Sequence, residues 1–113
     1  MLSIESLKQY GADTSDGLMR CMGNEEFYFK LIRKVIEDKN FDALNSAIES
    51  GNLDLAFEAA HSLKGVLGNL ALKPLYDPVF EITELLRSRI EVDYKPYLEI
   101  IEKKRAELVE LAS

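Results

Sequence analysis

Ala56-Phe57-Glu58-Ala59-Ala60-His61-Ser62-Leu63-Lys64-Gly65-Val66-Leu67-Gly68-Asn69-Leu70 is the stretch on which the reading of this chain turns. At about 100° of rotation per residue, Ala56, Ala60, Leu63, Leu67 and Leu70 fall in one narrow apolar stripe, with the alternating four- and three-residue steps that a helical bundle seam requires. His61, the only histidine of the chain, lies roughly 140° from the middle of that stripe by the same rotation. It shares its side of the helix with Phe57, Lys64 and Gly68, so the imidazole faces outward or sideways rather than into the core.

Two glycines sharpen this reading. A glycine inside a helix costs roughly 1 kcal/mol relative to alanine, and both Gly65 and Gly68 fall on or near the histidine's side. Helical side chains lean back toward the N-terminus, so a side chain at position 65 would lie over the turn that carries His61. Gly65 leaves that space open, and Gly68 is assigned the same role of access. Lys64, one turn after the histidine, is a flexible cation able to meet an anion on or near the imidazole.

The run Ala59-Ala60-His61-Ser62-Leu63-Lys64-Gly65-Val66-Leu67-Gly68-Asn69-Leu70-Ala71-Leu72 resembles the signature of the histidine-containing phosphotransfer (HPt) domains of multistep phosphorelays. Outside it the likeness is one of pattern and order: Gly17-Leu18-Met19-Arg20, the aromatic-rich helix from Asn24, and the Ser50-Gly51-Asn52-Leu53 turn before the histidine helix. Ala71 departs from the family, many members of which have glycine after the Asn-Leu pair. The resemblance implies that His61 is the phosphoacceptor, that Lys64 steadies the phosphoryl oxygens, and that receiver domains of response regulators, and a hybrid sensor kinase, are the partners. It implies no cofactor in this chain, with Mg expected on the partner receiver domain. As a class, imidazoles titrate near about 6.5 and offer a neutral ring-nitrogen lone pair near pH 7.

Composition agrees with a small carrier module. The 113 residues make one expected domain, 1–113, with 20 acidic against 14 basic residues and a formal net charge of −6. No basic cluster follows a phosphate backbone, which argues against nucleic acid as a partner. The single cysteine, Cys21, cannot form an internal disulfide and reads as a packing residue, as do the three methionines. One histidine and one cysteine do not make a closed zinc site. No apolar run of about 18 residues exists, and Met1-Leu2-Ser3-Ile4-Glu5 lacks the form of a signal peptide. The expectation is a monomeric, cytoplasmic protein without membrane contact.

The rest of the chain reads as helices. Ser3 caps a first short helix through Tyr10, and Thr14 a second to about Cys21. Asn24 caps a helix with Phe27, Leu31 and Val35 at helical spacing. Asn40 recaps the chain, and Leu44, Ala47 and Ile48 continue the apolar face to Gly51, the two pieces forming one broken rod. Asn52 caps the histidine helix, which runs to about Leu70. Leu75, Val79, Ile82 and Leu86 mark another helix with Pro78 expected in its first turn. Asp93 caps the last, with Pro96 in the first turn and Tyr97, Ile101, Leu108 and Leu111 inside. The predicted fold is all-α: an antiparallel up-and-down four-helix bundle with the short N-terminal helices covering one end or side.

Rival chemistries fail on sequence. Gly65-Val66-Leu67-Gly68 lies within a helix and lacks the closing Gly-Lys-Ser/Thr of a phosphate loop. No kinase signature set is present, so a partner must bring the phosphoryl group. The acidic pairs Glu25-Glu26 and Glu37-Asp38 read as solvated or helix-start charges. Phe57 has two equal readings, a candidate receiver-docking residue or an aromatic shielded by the leading helices. Two other functions stand beside phosphotransfer: a helical adaptor that binds without phosphate, and the phosphoacceptor domain of a larger kinase. His61 together with Lys64 argues against the first, and the Met1 start with no terminal linker against the second.

Overall fold

The computed structural model describes all of residues 1–113 and contains seven helices and no strand: α1 (Ile4–Tyr10), α2 (Thr14–Arg20), α3 (Glu25–Val35), α4 (Asn40–Glu49), α5 (Leu53–Asn69), α6 (Lys73–Arg87) and α7 (Lys95–Ala112). The all-helical expectation holds. α5 packs against both α4 and α6, α6 against α7, and α1 against α7. Ala56, Ala60, Leu63 and Leu67 of the histidine helix are fully buried, and Leu70 nearly so, at the centre of one cluster of 25 buried residues. The four- and three-residue spacing read from the sequence is thus the face that α5 turns to its neighbours.

Local chemistry sets most of the helix starts. The Ser3 hydroxyl accepts from the Ser6 amide while the Ser6 hydroxyl accepts from the Ser3 amide, a reciprocal cap that satisfies two otherwise orphan donors. Asn24 and Asn52 cap α3 and α5 through their side-chain oxygens, each bond worth about 1 kcal/mol. At α2 the cap is Asp13 rather than Thr14, which is the first helical residue. At α4 the Asn40 side chain does not cap; the Asp38 carboxylate accepts from the Asn40 amide at 2.8 Å. At α7 the cap position is Tyr94 rather than Asp93, whose carboxylate lies one residue further out and accepts from the Lys95 amide.

Two expectations need correction. The buried stripe of α3 is Tyr28, Ile32 and Val35, whereas Phe27 is exposed. Both sets share the helical period, and the hydroxyl of Tyr28 decides between them by finding a buried acceptor in the Leu70 carbonyl, 2.8 Å away. Pro78 is not in the first turn of α6. The helix begins at Lys73 with Pro74 in that place, and Pro78 is a buried interior residue. The Leu72 carbonyl already accepts from the amides of Leu75 and Tyr76, so the helix is under way before Pro78, at the cost of one missing backbone donor.

The leading helices are tied down at several points. The Asp13 amide donates to the Ala71 carbonyl, and the Tyr10 hydroxyl donates to the Lys104 carbonyl at 2.9 Å. Ala71 itself has φ +54, the left-handed conformation that glycine would adopt without strain. Between α3 and α4 the turn is closed by Arg105 of α7, whose guanidinium donates twice to the Ile36 carbonyl and lies 4.6 Å from the Phe41 ring centroid. No helix is long and apolar enough to cross a membrane.

Candidate functional site

The outer face of α5 carries the candidate residues in order along the helix: Phe57, His61, Lys64, Gly65 and Gly68. His61 is exposed, directly after the buried Ala59 and Ala60, as the rotation from the apolar stripe requires. Its ring stacks on that of Phe57, one turn earlier, with centroids 5.6 Å apart and 22° between planes. The stack fixes where the imidazole stands while leaving it open to solvent.

The residues around it come chiefly from α6. A Cβ on Gly68 would lie 3.1 Å from Cε1 of Tyr76, Lys64 Nζ stands 5.7 Å from the Phe80 ring centroid, and Arg87 Cζ stands 5.1 Å from the Phe57 centroid. Partners therefore rise along α6 as they fall along α5, so these two helices run antiparallel with their outer faces forming one surface. Tyr76 and Phe80 stack on each other at 5.9 Å, and Phe80 remains exposed. Lys64 is held against this aromatic pair as a partly desolvated cation.

The two glycines differ. At Gly65 an added Cβ would meet nothing within 4 Å, so the space beside His61 and Lys64 is open. At Gly68 the neighbouring Tyr76 ring would have to give way, so this glycine also has a packing role, admitting α6, that the sequence did not suggest. Below them lies a cleft of about 380 Å³ between the end of α5, the start of α6 and α2, lined by the basic Lys64, Lys73 and Arg20 and the acidic Asp13 and Asp16. The mixture of signs suits a polar partner, and Asp16 is itself paired with Arg20 at 3.2 Å.

Phe57 is half-buried, and the side chains over its ring come from the end of α6 and the turn after it. Arg87 and Arg89 lie over it, with Cζ atoms 5.1 and 5.2 Å from the ring centroid. Arg89 is held in place by Asp54, 2.7 Å away, and by the carbonyls of Leu86 and Arg87. This belt of cations was not legible in the histidine motif. The signal that could have found it is on α6, where Tyr76 and Phe80 stand one turn apart and off the core positions Leu75, Val79, Ile82 and Leu86.

The outer face of α5 thus presents an exposed histidine, a lysine one turn on and, directly after that lysine, a glycine beside which an added Cβ would meet nothing. The family model described as the Hpt domain matches residues 37–111, from just before α4 to the end of α7. The chain belongs to the Hpt domain family, whose members carry phosphoryl groups on histidine in phosphorelays and are not autonomous kinases. Neither the curated proteins nor the solved structures contain a match.

Proposed function

We propose that this chain is a phosphorelay intermediate in which His61 accepts a phosphoryl group from the aspartyl phosphate of one receiver domain and passes it to the aspartate of another. The observation that carries the reading is the exposed imidazole on the outer face of α5, opposite the buried stripe, with Lys64 one turn on and empty space at Gly65. A ring nitrogen attacks phosphorus in line; the N–P bond forms as the P–O bond to the aspartyl carboxylate breaks, and that carboxylate leaves. Lys64 then lifts from Phe80 toward the phosphoryl oxygens, while metal and most of the transition-state stabilisation come from the receiver. Because phosphohistidine and aspartyl phosphate are both high-energy species, the same face serves both directions of transfer.

In this reading residues 1–113 are one domain that acts as a cytoplasmic monomer. The long helices form an antiparallel up-and-down four-helix bundle, and Gly65 and Gly68 clear the receiver's approach. Phe57 orients the imidazole from below and docks the receiver only at its edge, since Arg87 and Arg89 lie over its ring.

The test is incubation of the full chain with phosphorylated receiver domains. His61→Gln is expected to abolish labelling while changing stability by no more than about 0.5 kcal/mol, as befits an exposed side chain. Undiminished labelling of that variant removes His61 from the role.

A further inference from the structure

Three cations stand along the α5–α6 surface near His61, and they are not equally free. Arg89 is fixed by the Asp54 carboxylate and two carbonyls. Lys64 rests on Phe80. Arg87 rests on Phe57, the ring that stacks on His61, and its Nε pairs only with the Glu84 carboxylate at 3.3 Å. Both side chains of that pair are about half exposed, at 48% and 44%, so water screens the attraction and it is easily exchanged for another.

The antiparallel register places this pair. Lys64 meets Phe80 and Phe57 meets Arg87, so His61, between Lys64 and Phe57 on α5, stands across from the stretch of α6 that carries Glu84. A phosphoryl group on the imidazole brings roughly two negative charges to a point beside an exposed carboxylate. Repulsion then disfavours Glu84 as the partner of Arg87. A guanidinium, whose planar fork fits two phosphoryl oxygens at once, has the better partner in the new group.

We propose that Arg87 is a second phosphate-binding residue of this site. In the unmodified protein it is parked on Phe57 and paired with Glu84; once His61 is phosphorylated it leaves Glu84 and binds the phosphoryl oxygens from the flank opposite Lys64. The group is then held between Lys64 and Arg87, and Glu84 sets how readily Arg87 is released. This rests on His61 being the acceptor.

The experiment loads the full chain with phosphoramidate, which phosphorylates histidine without a receiver, and follows the label by phosphorus NMR after the donor is removed. Arg87→Ala is expected to shorten the phosphohistidine half-life roughly threefold and to move its phosphorus resonance, with Arg87→Lys restoring part of the lifetime. Glu84→Gln is expected to lengthen it, an opposite sign that a merely structural role of the pair would not produce. Equal half-lives and identical resonances in the wild-type and Arg87→Ala proteins, both with unchanged melts, overturn the role of Arg87 and leave His61 as acceptor. A shorter half-life in Glu84→Gln overturns the exchange of partners. A wild-type chain that takes no label on His61 overturns this inference together with the proposed function.

Discussion

Gly17 and Gly65 are both helical glycines, and their surroundings are opposite. A Cβ on Gly17 would stand 2.5 Å from the Tyr28 hydroxyl oxygen and 2.6 Å from its ring carbon, whereas a Cβ on Gly65 would stand in open space. The first glycine is a buried packing device that lets α3 bring Tyr28 to the end of the histidine helix. The second is a vacancy on the outside of that helix. One region uses its glycine for packing; if the other glycine serves access, as proposed, a larger residue should have contrary effects in the two places.

The largest effect is expected at Gly17. Gly17→Ala forces Tyr28 away from its position, and overpacking of this kind, with disturbance of the Tyr28–Leu70 hydrogen bond, should destabilise the protein by about 3 kcal/mol. Thermal or urea unfolding measures it. A variant as stable as the wild type would mean that α2 slides freely over Tyr28, and the contrast with Gly65 would vanish.

Tyr28→Phe isolates the bond from the packing. It leaves the Leu70 carbonyl without its partner in a buried setting and should cost about 1–2 kcal/mol. It also has a signature in pH. Burial, followed by the neighbouring Cys21, Asp13 and Asp16, pushes the Tyr28 hydroxyl up to about 12 from its ordinary 10. The folded state holds this proton longer than the unfolded chain, so the stability it contributes is complete below pH 10 and is lost as pH rises from 10 toward 12. The phenylalanine variant should therefore lose stability less steeply over that range. Parallel curves for the two proteins would show that Tyr28 does not stay protonated as a buried donor.

What the sequence made legible follows this same division. The buried stripe of α5, the outward histidine and the open glycine were readable because each depends on the rotation of one helix. Capping by Ser3, Asn24 and Asn52 was readable because it depends on neighbours three residues away. The role of Tyr28 was not, since it is fixed by a carbonyl 42 residues distant, and a stripe starting at Phe27 has the same period. Pro78 misled because a proline argues for a first turn, and Pro74, four residues earlier, satisfies the same argument. The cations over Phe57 were hidden for a further reason: they belong to α6 and the turn after it, and only the antiparallel register carries them to the histidine.

Gly65 should answer in the other direction. Gly65→Leu places a side chain that leans back over His61 and is expected to suppress transfer from a phosphorylated receiver, while stability stays level or rises by up to about 1 kcal/mol, because a helix interior prefers almost any residue to glycine. A transfer time course beside a melt gives both quantities. Normal transfer in a well-folded variant would show that the vacancy is not for access.

Gly68 lies between these extremes and has the smallest expected effect. Its added Cβ would approach Tyr76 Cε1 to 3.1 Å and Cδ1 to 3.6 Å, a contact tight enough to need relief of only a few tenths of an ångström. Tyr76 is half-buried and stacked on the exposed Phe80, so its ring can yield where Tyr28, fully enclosed, cannot. For Gly68→Ala, the gain in helix propensity of about 1 kcal/mol and the cost of moving that ring should nearly cancel, leaving stability within about 0.5 kcal/mol of the wild type. Because the Tyr76–Phe80 stack is also the resting place of Lys64, transfer should slow, but by less than in Gly65→Leu. A loss of stability as large as that of Gly17→Ala would show Tyr76 to be as rigidly held as Tyr28. Complete suppression of transfer would instead extend the open approach to His61 by another turn, making Gly68 a residue of access before it is one of packing.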